Sequence, residues 1–236
     1  MAARRYSSAV RTEQRRATRQ RVLDAARALL LSRGYGGATI EAIARRAGVS
    51  VQTVYNTVGG KAAVLKAVYD TMLAGDDEPI PIMQRPAVLA MRATADPRQF
   101  LALYARMGRE MYARAGPLLP VMLAESGSGD PEVRAFIDTI ENERAAGTAV
   151  IAALLHERFG LREGLTVAGA ADILWTLTAP ELPLRLIHQR GWSLGKYEAW
   201  SADIMAHALL PPAHPPEGAI VKASRYGPDD PGVPSR

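Results

Sequence analysis

A chain of 236 residues, 48% of them apolar, is long enough to bury a sizeable core in one or two domains. It holds no cysteine, which excludes a disulfide scaffold, a thiol nucleophile and a thiolate metal site. The net charge of +5 conceals an asymmetry, since residues 1–75 carry 13 Lys/Arg against 4 Asp/Glu and the remaining 161 carry 16 against 20. Positive charge gathered at one end is expected of a segment that meets a polyanion. No run approaches the roughly 18 uninterrupted apolar residues of a membrane helix. Arg4 and Arg5 are followed by more charge, not by the apolar core of a secretory signal, so a soluble cytoplasmic protein is expected.

Residues 1–16, with Arg4, Arg5, Arg11, Arg15 and Arg16, read as a flexible basic arm. From Ala17 to Arg33, Val22, Leu23, Ala26, Leu29 and Leu30 recur at helical spacing until Gly34 stops the pattern. Thr39 is placed to cap the next helix, in which Ile40, Ile43, Ala44 and Ala47 form one apolar face. Gly48 supplies a left-handed stop, and Ser50 is a second N-cap. Val54 and Val58 continue the apolar face, leaving Gln52, Thr53, Tyr55 and Asn56 turned outward. A helix, a three-residue turn and a second helix with small Ala44 at the crossing form the pattern of a DNA-binding helix-turn-helix. After Gly59 and Gly60, Lys61 opens a helix marked by Ala62, Leu65, Val68, Tyr69 and Met72, which fades from Gly75 to Pro79.

Pro79, Pro81 and Pro86 form a seam between a 17–75 DNA-binding domain and an 82–210 helical domain. The pattern beyond it predicts helices over Gln84–Thr94, Pro97–Ala115, Pro117–Ala124 and Pro131–Phe159. Gly127, Ser128 and Gly129 read as a loop. A further helix starts near Thr166 and must break at Pro180 and Pro183, and the last spans Tyr197–Leu210. Residues 211–236 contain seven prolines and no periodicity, the composition of a disordered tail. The expected fold class is all-α: an N-terminal three-helix helix-turn-helix domain and a larger C-terminal helical domain for ligand binding and dimerisation.

The run T-x-x-x-I-A-x-x-A-G-V-S at Thr39–Ser50, then Val54-Tyr55 and Lys61-x-x-x-Leu65, resembles the TetR family of transcriptional regulators. The resemblance is specific over residues 17–75 and elsewhere covers only the layout. Two runs, Trp175–Glu181 and Gly191–Trp200, are similar to some actinobacterial members. Two positions depart from the family pattern. Thr57 stands where His or Tyr is common, and Val58 where a bulky aromatic anchors the recognition helix. The resemblance implies a two-fold dimer, formed through about 133–159 and 166–190, that reads a palindromic operator. Ile140, Ala145, Ala149, Ala152, Ala153 and Leu155 suit close helix packing there. It also implies a phosphate contact from the Tyr55 hydroxyl.

With the second helix in the major groove, Gln52 can pair bidentately with adenine, Thr53 and Asn56 can reach base edges, and Val51 can touch a thymine methyl. Thr39 and Lys61 stand at helix N-termini that suit phosphate, and Arg45 and Arg46 add surface charge. The basic arm would add sequence-independent affinity.

Candidate ligand-binding residues in the second domain are Tyr104, Met107, Glu110 and Met111 on one helix, joined by Met122, Glu125, Arg144, His156, Asp172 and Trp175. The expected function is a ligand-responsive repressor released from its operator by a small molecule. An architectural DNA-binding protein without ligand response is the alternative. An all-α enzyme is disfavoured: no phosphate-binding glycine loop, H-E-x-x-H or G-x-S-x-G run occurs, and the four histidines lack metal-ligand spacing. No catalytic residue, cofactor or metal site is expected.

Overall fold

The computed structural model describes residues 2–126 and 130–212, with side chains over 10–124 and 130–212. The expected loop at 127–129 and nearly all of the expected tail therefore lie outside the described residues. Every regular element among those described is helical. They are α1 (Ala2–Gly37), α2 (Ile40–Ala47), α3 (Val51–Thr57), α4 (Lys61–Ala74), α5 (Pro86–Ala93), α6 (Pro97–Ala115), α7 (Leu119–Ser126), α8 (Pro131–Phe159), α9 (Val167–Leu177), the single turn α10 (Glu181–Pro183) and α11 (Leu194–Leu209).

Caps set most of these boundaries. Thr39, Ser50, Asp96, Asp130, Thr166 and Ser193 each accept a hydrogen bond from a backbone N–H in the first turn of the following helix. Pro97 and Pro131 occupy the first helical position, where a missing N–H is harmless. Gly48 and Gly75 close α2 and α4 in the left-handed region, at φ of 66° and 92°.

The structure departs from the sequence reading at the start of α1 and at the start of α11. The stretch read as a flexible arm is the first part of α1, which runs through Ala2 to a kink at Gly34 (φ 67°, ψ −176°). Its Ala, Arg, Gln and Glu residues are good helix formers, so an apolar stripe is not needed once the packed half has nucleated the helix. Ion pairs from Arg16 to Glu78 and from Arg19 to Asp77 tie that half to the chain beyond α4. The last helix starts at Leu194, three residues before the expected Tyr197, because Ser193 caps it through Lys196 N–H. Between α9 and α11 the two prolines leave a single turn and then a π-helical stretch, Leu184–Gln189, closed by Arg190 N–H on the Arg185 carbonyl.

Two apolar cores result. The first gathers Val22, Leu23, Ala26 and Leu30 of α1, Ile43 of α2, Val54 of α3 and Leu65 and Val68 of α4. It also draws in Ala115, Leu118 and Met122, and Val133, Phe136 and Ile140 of α8. The second joins α5, the first half of α6, the last turns of α8, α9 and α11 around Phe100, Leu155, Leu174 and Leu209. Edge-on aromatic pairs mark each, Tyr69–Phe136 in the first and Phe100–Phe159 in the second, both at 5.9 Å between centroids. The covalent seam at 79–86 is thus not the packing seam, because α6 and α8 run through both cores.

Candidate nucleic-acid interface and cavity

The recognition helix is positioned from inside. Val54 is fully buried, and burying one such side chain is worth roughly 1.5–3 kcal/mol. Val58 packs half-buried on the same core, so a smaller side chain still fills the position where the family places an aromatic. The turn is held by Gly48 N–H on the Ala44 and Arg45 carbonyls and by Val49 N–H on the Ala44 carbonyl at 3.0 Å. Ser50 Oγ accepts from Thr53 N–H at 3.0 Å and lies 2.7 Å from Thr53 Oγ1.

With one face fixed inward, α3 presents Val51, Gln52, Tyr55 and Asn56 to solvent, four residues that share one helix face. Tyr55 is 50% exposed. Gln52 Nε2 donates to Asn56 Oδ1 at 2.9 Å, which leaves the Gln52 carbonyl oxygen and the Asn56 amide N–H groups pointing away for an external partner. Thr53 is half-buried beside its cap. Thr39 is exposed at the start of α2, with its hydroxyl engaged by Ala42 N–H at 3.1 Å. Arg45 and Arg46 are exposed on α2. The Lys61 ammonium stacks on the Tyr35 ring, 3.9 Å from its centroid, which holds it at the α4 N-terminus. The backbone carbonyl of Thr57 accepts from Arg19 Nη1 at 3.2 Å, so the end of α3 is tied to α1 by a backbone bond that any residue at 57 can make.

A cavity of about 1910 Å³ lies between α4, α6, α8 and α11 and extends toward the end of α3. Of the sequence-derived ligand candidates, Tyr104, Met107, Met111, Met122 and Arg144 line it. Glu110, His156, Asp172 and Trp175 do not. Glu110 pairs with Arg106 on the surface, and His156, Asp172 and Trp175 lie on exposed helix faces. The Glu125 side chain is outside the described residues. The periodicity that placed Glu110 with Tyr104 and Met107 fails because i+6 lies well round the helix from i, away from the cavity side. Trp175 instead carries the Arg144 guanidinium 4.4 Å above its ring.

Sequence reasoning missed the hydroxyls on the wall, Tyr112, Tyr197 and Ser201, and missed Gly108. The signal for two of them was present, as Tyr197, Ser201 and Met205 recur at four-residue spacing on the buried side of α11. Burial pushes the Tyr104 phenol up to about 12 and also raises those of Tyr112 and Tyr197. Charged groups on the wall are paired: Arg144 with Glu141 at 2.6 Å, Lys66 with Asp70 at 2.7 Å and Glu143 at 3.0 Å, and Arg85 with Asp76 at 2.7 Å. Burial opposes the charge on Lys66, but its two carboxylate partners outweigh that and raise its pKa. Arg85 draws the Asp76 carboxyl down to about 2.

A capped helix pair with a polar second-helix face, on the basic end of the chain, defines a DNA-binding helix-turn-helix protein. Residues 22–68 match the family of bacterial regulatory proteins of the tetR type. That match is confined to the helix-turn-helix part of the chain. Over 51 residues, 22% of this chain, it is 47% identical to the HTH-type transcriptional regulator SrpR of Pseudomonas putida, and the match covers 24% of that protein. The HTH-type transcriptional regulator TtgW of Pseudomonas putida matches equally over 51 residues, 38% of its length. Both matches thus span well under half of these relatives.

Among solved structures, NalD, the secondary repressor of the MexAB-OprM multidrug efflux pump of Pseudomonas aeruginosa, has the same fold. Its TM-score is 0.62 at 22% identity, over 84% of this chain and 98% of that one. FadR of Bacillus subtilis, solved in complex with stearoyl-CoA, aligns at a TM-score of 0.61 with 18% identity, over 79% of this chain and 96% of its own.

Proposed function

We propose that the protein is a sequence-specific transcriptional regulator that binds a palindromic operator as a homodimer and leaves it when a small molecule fills the cavity. The observation that carries the reading is one chain holding both an outward polar face on α3 and a large, largely apolar cavity that reaches from the body of the molecule to the end of α3. An architectural DNA-binding protein needs no such cavity. Residues 17–75 act as the reading unit, with Gln52, Asn56, Thr53 and Val51 toward bases and Tyr55, Thr39, Lys61 and Arg45 toward phosphates. Residues 82–210 form the body. Repression is the simplest regulatory mode, because a dimer seated on its operator blocks other proteins from the same DNA.

One helix-turn-helix makes few base contacts, so specificity calls for two. Of the residues on α8 suited to a dimer contact, Ile140, Ala152 and Leu155 are buried within the protomer, whereas Ala145, Ala149 and Ala153 share an exposed face with Val150. That face supports a two-fold contact through α8. No described helix is long and apolar enough to cross a membrane, in keeping with a cytoplasmic regulator. The relatives that this chain matches are transcriptional regulators, which favours binding over catalysis as the activity.

The test is competition between genomic fragments and random duplex in a mobility-shift assay, with footprinting of the bound sites. The reading predicts discrimination of about 10³ or more and a two-fold symmetric footprint. Discrimination below tenfold would favour the architectural alternative. A chain starting at Ala17 should show a flatter dependence of log affinity on log salt, by about 0.9 per phosphate contact removed.

A further inference from the structure

The cavity wall is apolar and adaptable over much of its length. Met83, Met107, Met111, Met122 and Met205 line it, flexible thioether side chains that reshape around an apolar guest. Where α6 faces α11, Ser201 is 2% exposed, and its Oγ makes no well-aligned hydrogen bond, with the Tyr197 hydroxyl within reach. The Tyr112 hydroxyl is buried and unpartnered. Burial raises the Tyr112 pKa, and the Tyr197 phenol, one helical turn from Ser201, lies near enough to raise it further. A buried hydroxyl left without a partner costs free energy, so Tyr112 calls for an atom that the folded chain does not supply, and Ser201 can add a second, better aligned bond to it.

That atom belongs to an uncharged molecule. The Arg144 guanidinium is committed to both oxygens of Glu141, to the Trp175 carbonyl and to the Trp175 ring. Arg16, Arg19, Lys66 and Arg85 have acidic partners, and the remaining charged wall residues, Arg15 and Glu181, are exposed at the rim. A carboxylate or ammonium buried among the methionines would lose its hydration without gaining a counter-ion, which costs far more than two hydroxyls repay. A neutral hydroxyl or carbonyl loses little and satisfies the Tyr112 hydroxyl.

We propose that the cavity takes an elongated, uncharged amphiphile, its oxygen docked between Tyr112 Oη and Ser201 Oγ and its apolar body lying along the methionines. This rests on the reading of the cavity as the effector site. It sets this chain apart from a protein that would hold a fatty carboxylate or a multiply charged thioester.

The experiment is isothermal titration of the full chain with 1-dodecanol, dodecanoate and dodecyltrimethylammonium, which share a chain length and differ in head-group charge. Dodecanol should bind at least tenfold tighter than either ion. Tyr112→Phe and Ser201→Ala should each weaken dodecanol roughly two- to tenfold, the loss of one neutral hydrogen bond, and change the two ions less. Gly108 lines the cavity on α6, and a Cβ added there meets nothing within 4 Å. Gly108→Leu should therefore abolish binding of all three while circular dichroism and DNA binding persist.

Tighter binding of either ion, or no effect of both hydroxyl deletions, overturns the inference. If Gly108→Leu still abolishes binding in that case, the cavity reading stands. Binding that Gly108→Leu leaves intact, or no binding of any probe, overturns both.

Discussion

Arg114, at the end of α6, is the side chain whose removal should most weaken the seat of the DNA-reading helices on the rest of the molecule. Its Nε donates to the Met72 carbonyl at 3.0 Å and its Nη2 to the Leu73 carbonyl at 2.5 Å. Both are among the last carbonyls of α4, which no N–H of their own helix can reach, at the end where the helix dipole is negative. A hydrogen bond to a charged group contributes about 1.5–3 kcal/mol when buried. Here the site is partly exposed and water can re-solvate the carbonyls, so the pair together is worth about 2–4 kcal/mol rather than the full sum. Arg114→Met keeps the aliphatic stem and removes the donors. Urea unfolding followed by circular dichroism should show that loss as a lower midpoint at unchanged slope. Amide exchange should speed up in the last turn of α4 before it does elsewhere. A loss below about 0.5 kcal/mol would refute the reasoning, because it would place the guanidinium in water most of the time.

Three further outcomes are expected. Ser50→Ala removes the cap of α3 and should cost about 0.5–2 kcal/mol by the same unfolding assay, with Thr53→Ala costing less. Gln52→Ala should lose about 1–3 kcal/mol of discrimination at one base pair of each half-site while non-specific affinity is kept; equal loss on random duplex would place Gln52 on phosphate instead. Tyr104, with its folded pKa raised to about 12 by burial, contributes stability that is fully present below the unfolded value near 10 and is lost as pH rises through about 12. The loss, up to about 2–3 kcal/mol, should shrink in Tyr104→Phe; an unchanged alkaline slope would mean that other groups govern it.

The helix boundaries from Thr39 to Lys61 were readable nearly to the residue. Thr39, Gly48 and Ser50 act through bonds to backbone groups three or four positions away, so their chemistry is visible in a short window of sequence. The outward face of α3 followed from the same logic once Val54 was placed inward. The first turns of α1 were misread because residues 1–16 carry no apolar stripe in sequence, and what steadies Arg16 and Arg19 is Glu78 and Asp77, about 60 positions along the chain. The candidate ligand list was half right in placement for a related reason. Apolar spacing finds the inward side of α6, and so Tyr104, Met107 and Met111, but it does not tell Glu110, which belongs to Arg106 on the surface, from a polar residue aimed inward.

What the sequence determined by itself is therefore local: the caps, the turn, the reading face and the excess of positive charge at one end. Each depends on residues within a turn or two of one another. Only the tertiary structure decided where the polar groups of the cavity wall lie. Tyr112 and Ser201 come to line one cavity because α6 and α11 pack side by side, and Arg144, neutralised by Glu141 on its own helix, is held against Trp175 because α8 lies against α9. A hydroxyl on an apolar stripe has the same periodicity whether it faces a partner or an empty space, and only the packed helices leave that space unfilled.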